Sequence, residues 1–181
     1  MQKYTSANTS INSTKLPKIY RLVAEKIPTK ANVIDYGCGK FFDNYKLGFN
    51  CVGYDPYNRP HEELLRRKYD YALCSNVLNV IMELEQRTKL LETLKKLSKT
   101  VFITVYEGDK SGKGKVSKAD CYQLNRRAGD YIPELVQVFG KGNVKWNRAG
   151  YFECKGEAEW NTNTVCDSGD SLPCVSLKKG L

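Results

Sequence analysis

The stretch Asn32-Val-Ile-Asp-Tyr-Gly-Cys-Gly-Lys40 constrains this chain more than any other. A short apolar run ends in an acid, Asp35, and then in a Gly-x-Gly turn. A second apolar run, Val52-Gly-Tyr-Asp55, ends in another acid twenty positions after the first. Short apolar runs bounded by glycine read as buried strands of a parallel sheet. An acid closing the second strand at this spacing is placed to accept hydrogen bonds from the vicinal hydroxyls of a ribose. The pattern predicts a doubly wound α/β sheet with a nucleoside-binding crevice at the carboxyl ends of its strands.

The rest of the chain supplies the elements such a sheet needs. Leu16, Ile19, Tyr20, Val23 and Ile27 recur at helical spacing ahead of the first strand. A turn and a short helix around Asp43 to Leu47 lead into the second strand. Tyr71-Ala-Leu-Cys-Ser75 reads as a buried strand, and a helix from about Glu83 to Ser98 carries Leu84, Leu90, Leu91, Leu94 and Leu97 on one face. Val101-Phe-Ile-Thr-Val105 is the next strand, and Tyr131 to Phe139 the next helix. Val144-Lys-Trp146 and Tyr151-Phe-Glu-Cys154 predict an antiparallel hairpin closing the sheet. At 181 residues one domain is expected, over 15–155, with a basic insert at 107–128. Residues 1–14 are polar and expected to be mobile, or ordered only by packing over a site. Residues 156–181 form a polar tail with no assignable structure.

Two nucleoside cofactors compete for the glycine turn. A dinucleotide fingerprint needs a third glycine where this chain has the bulky Phe42, so a helix could not approach a pyrophosphate closely. Asp35-Tyr-Gly-Cys-Gly39 instead resembles the first motif of class I S-adenosylmethionine-dependent methyltransferases, and the resemblance extends over about residues 15 to 106. It implies a Rossmann-like methyltransferase fold. It also assigns S-adenosylmethionine to Asp35, Gly37, Cys38, Gly39, Asp55, Pro56, Tyr57 and Ser75, with Pro56 and Tyr57 flanking the adenine. More narrowly, Tyr54-Asp-Pro-Tyr-Asn-Arg-Pro60 and Asn76-Val-Leu-Asn-Val-Ile81 look like small methyltransferase-like proteins of bacteriophages and of bacterial DNA-modification or defence loci. Only about fifteen residues separate Asp55 from Asp70, where the usual fold places a further strand and two helices, so the sheet is expected to be abbreviated at that edge.

Methyl transfer is an in-line displacement that asks the protein to align donor and acceptor and, where needed, to remove a proton. The Asp/Asn-Pro-Pro-aromatic tetrad of base-amine methyltransferases is matched by Ser75-Asn76-Val77-Leu78, which lacks both prolines and the aromatic. Asn76 is a candidate for holding an acceptor, with helix capping as its competing role. Tyr106 and Glu107, leaving a strand toward the same crevice, are candidates for stacking and for the base. His61, the sole histidine, sits on a solvated segment and is not expected to be a base. Leu172-Pro-Cys174 resembles a cytosine-carbon methyltransferase nucleophile but has no supporting motif. Without a Cys-x-x-Cys pair among the seven cysteines, zinc is not expected.

A formal net charge of +9 favours an acidic partner. The basic insert, with Lys110, Lys113, Lys115, Lys118, Arg126 and Arg127, points to phosphate contacts, and Tyr122 and Tyr131 offer stacking faces. The acceptor is therefore expected to be a nucleic acid or nucleotide. The absent tetrad favours the alternative of a catalytically inactive S-adenosylmethionine-binding or phage and host-defence interaction protein. No apolar run approaches the roughly 18 residues that span a bilayer. With a polar amino terminus, the protein is expected in the cytoplasm, that of the host where a phage carries the gene.

Overall fold

A computed structural model describes residues 3–9, 16–40, 42–44, 47–118 and 120–159, without the side chains of Asn44, Ser117 and Lys118. The tail cysteines Cys166 and Cys174, with the Leu172-Pro-Cys174 motif, lie outside the described residues. The main sheet contains β1 (Val33–Tyr36), β2 (Cys51–Tyr54), β3 (Tyr69–Ser75), β4 (Ser98–Thr104), β7 (Val144–Asn147) and β8 (Tyr151–Lys155). Their order is β2-β1-β3-β4-β8-β7. The first four strands are parallel, and β8 and β7 close the sheet antiparallel, as the sequence predicts. A separate two-stranded hairpin joins β5 (Lys113–Lys118) to β6 (Cys121–Asn125). Among the described residues three α-helices complete the fold: α1 (Lys18–Val23), α2 (Leu84–Leu97) and α3 (Ile132–Phe139).

Side chains alternate across the central strands, and each face has its own cover. Val33, Leu73 and Phe102 face α1, where Ile19, Tyr20 and Val23 are buried against them with Tyr151. Ile34, Ala72, Cys74, Val101 and Ile103 face α2 and α3, meeting Leu90, Leu91, Leu94, Leu135 and Phe139. The sheet is therefore covered on both sides, which is why its inner strands read as continuous apolar runs. Among the described residues no helix is long and apolar enough to cross a membrane.

Two local expectations are corrected and a third is met. The helix predicted around Asp43 to Leu47 is a 3-10 turn, Phe42–Asn44. Phe42 is buried against Gly53, where an added Cβ would meet its ring at 2.6 Å, so the residue that replaces the third glycine wedges onto β2 instead of admitting a helix. Between β2 and β3 only the 3-10 turn Glu62–Arg66 intervenes, and β2 is left as an edge strand, as the short spacing implies. The basic insert is not a plain loop. Its β5 is almost devoid of apolar residues, and the strand forms because Cys121 and Tyr122 of β6 are buried and Gly114 lets the Tyr122 ring lie directly against the backbone.

A buried ion-pair cluster ties this hairpin to the helices. Arg87 of α2 is 5% exposed and grips Glu134 of α3 through Nε and Nη2, at 2.7 and 3.1 Å. Its Nη1 donates to the carbonyls of Ile81 and Met82, both at 2.9 Å. Arg126, just beyond β6, also pairs with Glu134 and lies 3.7 Å from the Tyr131 ring centroid. Burial opposes charge on Glu134, yet hydrogen bonds from both arginines outweigh it and hold its carboxyl below the usual range.

Candidate functional site

The glycine turn is built by backbone geometry. Gly37 and Gly39 have φ of 79° and 68°, a region that side chains strain to enter. A Cβ on Gly37 would also meet Val77 Cγ2 at 2.4 Å. The Gly37 and Cys38 amides both donate to the Tyr54 carbonyl, at 2.8 and 3.2 Å, so the turn after β1 folds over the end of β2.

Asp35 sits beneath this turn, 3% exposed. The buried Tyr20 hydroxyl donates to its Oδ2, while Oδ1 is buried with no hydrogen-bond partner among the described residues. Burial pushes the Asp35 carboxyl up to about 7; the Tyr20 hydrogen bond opposes the shift and the nearby Asp55 adds to it. Tyr20 is a contact that the helical spacing of α1 marks only as core. Replacing it with Phe leaves both carboxylate oxygens without a partner. We expect Tyr20→Phe to lower folding stability by about 1 to 3 kcal/mol in urea unfolding with little loss of packing.

Asp55, 8% exposed, holds two loops together. Its Oδ1 accepts from the amides of Tyr57 and Asn58, at 3.0 and 2.8 Å, and from Asn58 Nδ2 at 3.0 Å. Its Oδ2 accepts from the Gly39 amide at 3.1 Å. The sequence assigns both carboxylate oxygens to a ribose. Here Oδ1 is filled by its own loop, and the capacity that remains lies on Oδ2.

A cavity of about 530 Å³ opens beside these residues. Asp35, Gly37, Cys38, Gly39, Asp55, Pro56, Tyr57 and Ser75 all line it, so every residue assigned to the donor falls on one cavity wall. The Ser75 hydroxyl is 3.0 Å from that of Thr104. Asn76 lines the cavity as well, with an exposed side chain and a φ of 58°. It caps no helix, because the 3-10 turn Leu78–Val80 starts at Val77 without a side-chain cap. A backbone strained in this way is common at functional positions.

The other sequence candidates do not converge there. Glu107 accepts from the Ala128 amide at 2.6 Å and pairs with Lys110 at 3.1 Å. Those contacts lower its pKa, the Ala128 hydrogen bond most, so the expected base is an anchor for the insert. Tyr106 is 60% exposed and lies outside the cavity wall, its amide held by Asn79 Oδ1 at 3.2 Å. Of the expected phosphate contacts, Arg126 is spent on Glu134 and Lys110 on Glu107, whereas Lys113, Lys115 and Arg127 are exposed. The Lys118 side chain is outside the described residues. Tyr131 is fully buried and Tyr122 stacks on Tyr4, so neither offers a free ring.

Residues 3–9, which the sequence leaves either mobile or ordered by packing over a site, form a wall of the cavity. Thr5, Ser6, Ala7 and Thr9 line the cavity. The Thr5 amide and hydroxyl donate to the Asp120 carboxylate, and the Ser6 amide donates to the Asp120 carbonyl at 2.9 Å. The Ser6 hydroxyl reaches the Val80 carbonyl at 3.0 Å, and the Lys3 amide reaches Glu83 Oε1 at 2.7 Å. Asp120 stands between β5 and β6, so the hairpin's structural task is to hold this segment across the crevice.

A profile of the methyltransferase domain matches residues 9–140. The chain belongs to the methyltransferase-domain family. Among solved structures it superposes on the 1,6-didemethyltoxoflavin-N1-methyltransferase of Burkholderia thailandensis, with 1,6-didemethyltoxoflavin and S-adenosylhomocysteine bound, at a TM-score of 0.55 and 14% identity over 77% of each chain. It also superposes on the sugar N-methyltransferase KedS8 of Streptoalloteichus sp ATCC 53650, at a TM-score of 0.51 and 10% identity, covering 85% of this chain and 87% of that one. At such identities the likeness is one of fold. No curated protein matches the sequence of this methyltransferase-family chain.

Proposed function

We propose that this chain is an S-adenosylmethionine-dependent methyltransferase acting on a small polar acceptor. The observation that carries the donor is the orphaned Asp35 Oδ1, a buried carboxylate oxygen beside the glycine turn that lacks a hydrogen-bond donor among the described residues. The donor's ammonium suits it. Backbone of Gly37 and Gly39 would meet the methionine portion, Asp55 Oδ2 one ribose hydroxyl, and Pro56 and Tyr57 the adenine. When bound, S-adenosylmethionine supplies an electrophilic methyl group on a sulfonium. The chain's own task is alignment, and Asn76 at the end of β3 holds the acceptor by its amide. With Glu107 turned away from the cavity, the arrangement suits a ring or amine nitrogen whose lone pair needs no base for attack.

A small acceptor is supported by residues 3–9, which wall the crevice that a polymer would have to enter. The two superposed enzymes are a 1,6-didemethyltoxoflavin-N1-methyltransferase and a sugar N-methyltransferase, in keeping with this reading. A nucleic-acid acceptor is the second reading, favoured by exposed Lys113, Lys115 and Arg127 and by the resemblance to phage-borne and DNA-modification proteins. Incubation with methyl-labelled donor and separate pools of nitrogen heterocycles, amino sugars, nucleotides, DNA and RNA tests both. Label is expected in a small-molecule pool. Label confined to DNA or RNA would move the acceptor to the polymer, and donor binding without transfer to any pool would favour the inactive binding protein.

A further inference from the structure

The cavity that Pro56 and Tyr57 line is also lined by four residues of α2: Gln86, Lys89, Leu90 and Thr93. These positions fall at i, i+3, i+4 and i+7, one face of the helix. Leu90 and Ile81, 8% and 7% exposed, give the cavity an apolar floor. Tyr57 and Gln86 line the same cavity. Gln86 is three residues after Glu83 and half-buried, and its side-chain amide makes no hydrogen bond among the described residues. Lys89 pairs with Glu85, and the Thr93 hydroxyl donates to the Lys89 carbonyl, so both are already engaged.

The segment between Asp55 and Asp70 holds only the 3-10 turn Glu62–Arg66 and puts no residue beyond Asn58 on the cavity wall, so it offers no further side chain to hold the edge of the adenine. We propose that Gln86 takes this task from α2, reading the edge of the adenine with its side-chain amide while Ile81, Leu90 and Tyr57 flank the ring. An amide offers a purine edge both an acceptor for the exocyclic amine and a donor for a ring nitrogen. The base would thus be recognised by a helix that packs on the sheet rather than by an edge loop. Gln86 becomes the residue that makes the donor site selective for adenine.

This inference rests on the donor reading above, and its test separates the two. Calorimetry would compare S-adenosylhomocysteine with its analogue carrying unsubstituted purine in place of adenine, for the wild type, Gln86→Leu and Gln86→Glu. The wild type should favour the adenine ligand by about fivefold to tenfold, the worth of one hydrogen bond. Gln86→Leu, of similar volume, should lose that preference, and Gln86→Glu, which still accepts from the amine, should keep it. A Gln86→Leu variant that binds with the wild-type preference overturns the role of Gln86 and leaves the donor site standing. No binding of S-adenosylhomocysteine by the wild type overturns both. Thermal melts of each variant show whether the fold is retained, and a Gln86→Glu variant that folds and loses the preference also counts against the assignment.

Discussion

Replacing Asp55 with Ala should weaken S-adenosylhomocysteine binding at least tenfold and lower folding stability by about 3 kcal/mol or more. The two effects have different origins. Donor affinity falls because a charge-assisted hydrogen bond to a ribose hydroxyl is worth roughly 1.5 to 3 kcal/mol. Stability falls because the amides of Gly39, Tyr57 and Asn58 all lose their acceptor in a buried loop junction, and each orphaned donor costs about 1 to 3 kcal/mol. Asp55→Asn separates them. It keeps an acceptor oxygen for Tyr57 and Asn58 and removes the charge, so stability should move much less than in Asp55→Ala while donor affinity still falls. Calorimetry and urea unfolding on the two variants read both effects. Wild-type donor affinity in a folded Asp55→Ala protein would remove Asp55 from the site.

What the sequence discloses and what it hides divide by range. The glycine turn, the acid closing each of the first two strands and the apolar runs of β3 and β4 are local patterns, and they mark residues that line the cavity and strands that build the sheet. Arg126 and Glu107 read as free charges because nothing local shows that Glu134 and the Ala128 amide await them. Tyr20 reads as one more core residue of α1, since its bond to Asp35 spans fifteen positions and two elements. The hairpin β5–β6 is hidden for a compositional reason, because Lys, Ser and Gly make a poor strand unless a partner such as Tyr122 fixes it. Residues 3–9 gain order from Asp120 and Val80, more than seventy positions away, so no window of sequence decides whether they are mobile or pack over a site.

Asp35 should make both stability and donor binding depend on pH, in opposite senses. Its carboxyl has an ordinary value of 3.8 and is pushed to about 7 in the folded protein, so between those values the folded state holds a proton that the unfolded state has released. Stability from this group is therefore highest below about pH 4, falls as pH rises through the window and levels off above about 7. The whole change is roughly 4 kcal/mol, from 1.36 kcal/mol for each pH unit of the displacement. Tyr20, Cys38, Cys51 and Cys74 beside Asp35 stay neutral there, because burial raises each well above the window. Subtracting the stability of Asp35→Asn at each pH isolates the contribution from every other titrating group. Donor binding runs the other way. An ammonium beside Oδ1 favours the carboxylate, so affinity for S-adenosylhomocysteine should rise as pH increases toward 7, by at most tenfold per unit, and then flatten. Asp35→Asn should show neither slope. If the wild type minus Asp35→Asn difference in stability is the same at pH 5 and pH 8, Asp35 does not bind the proton assigned to it, and the buried carboxylate is already compensated without a ligand.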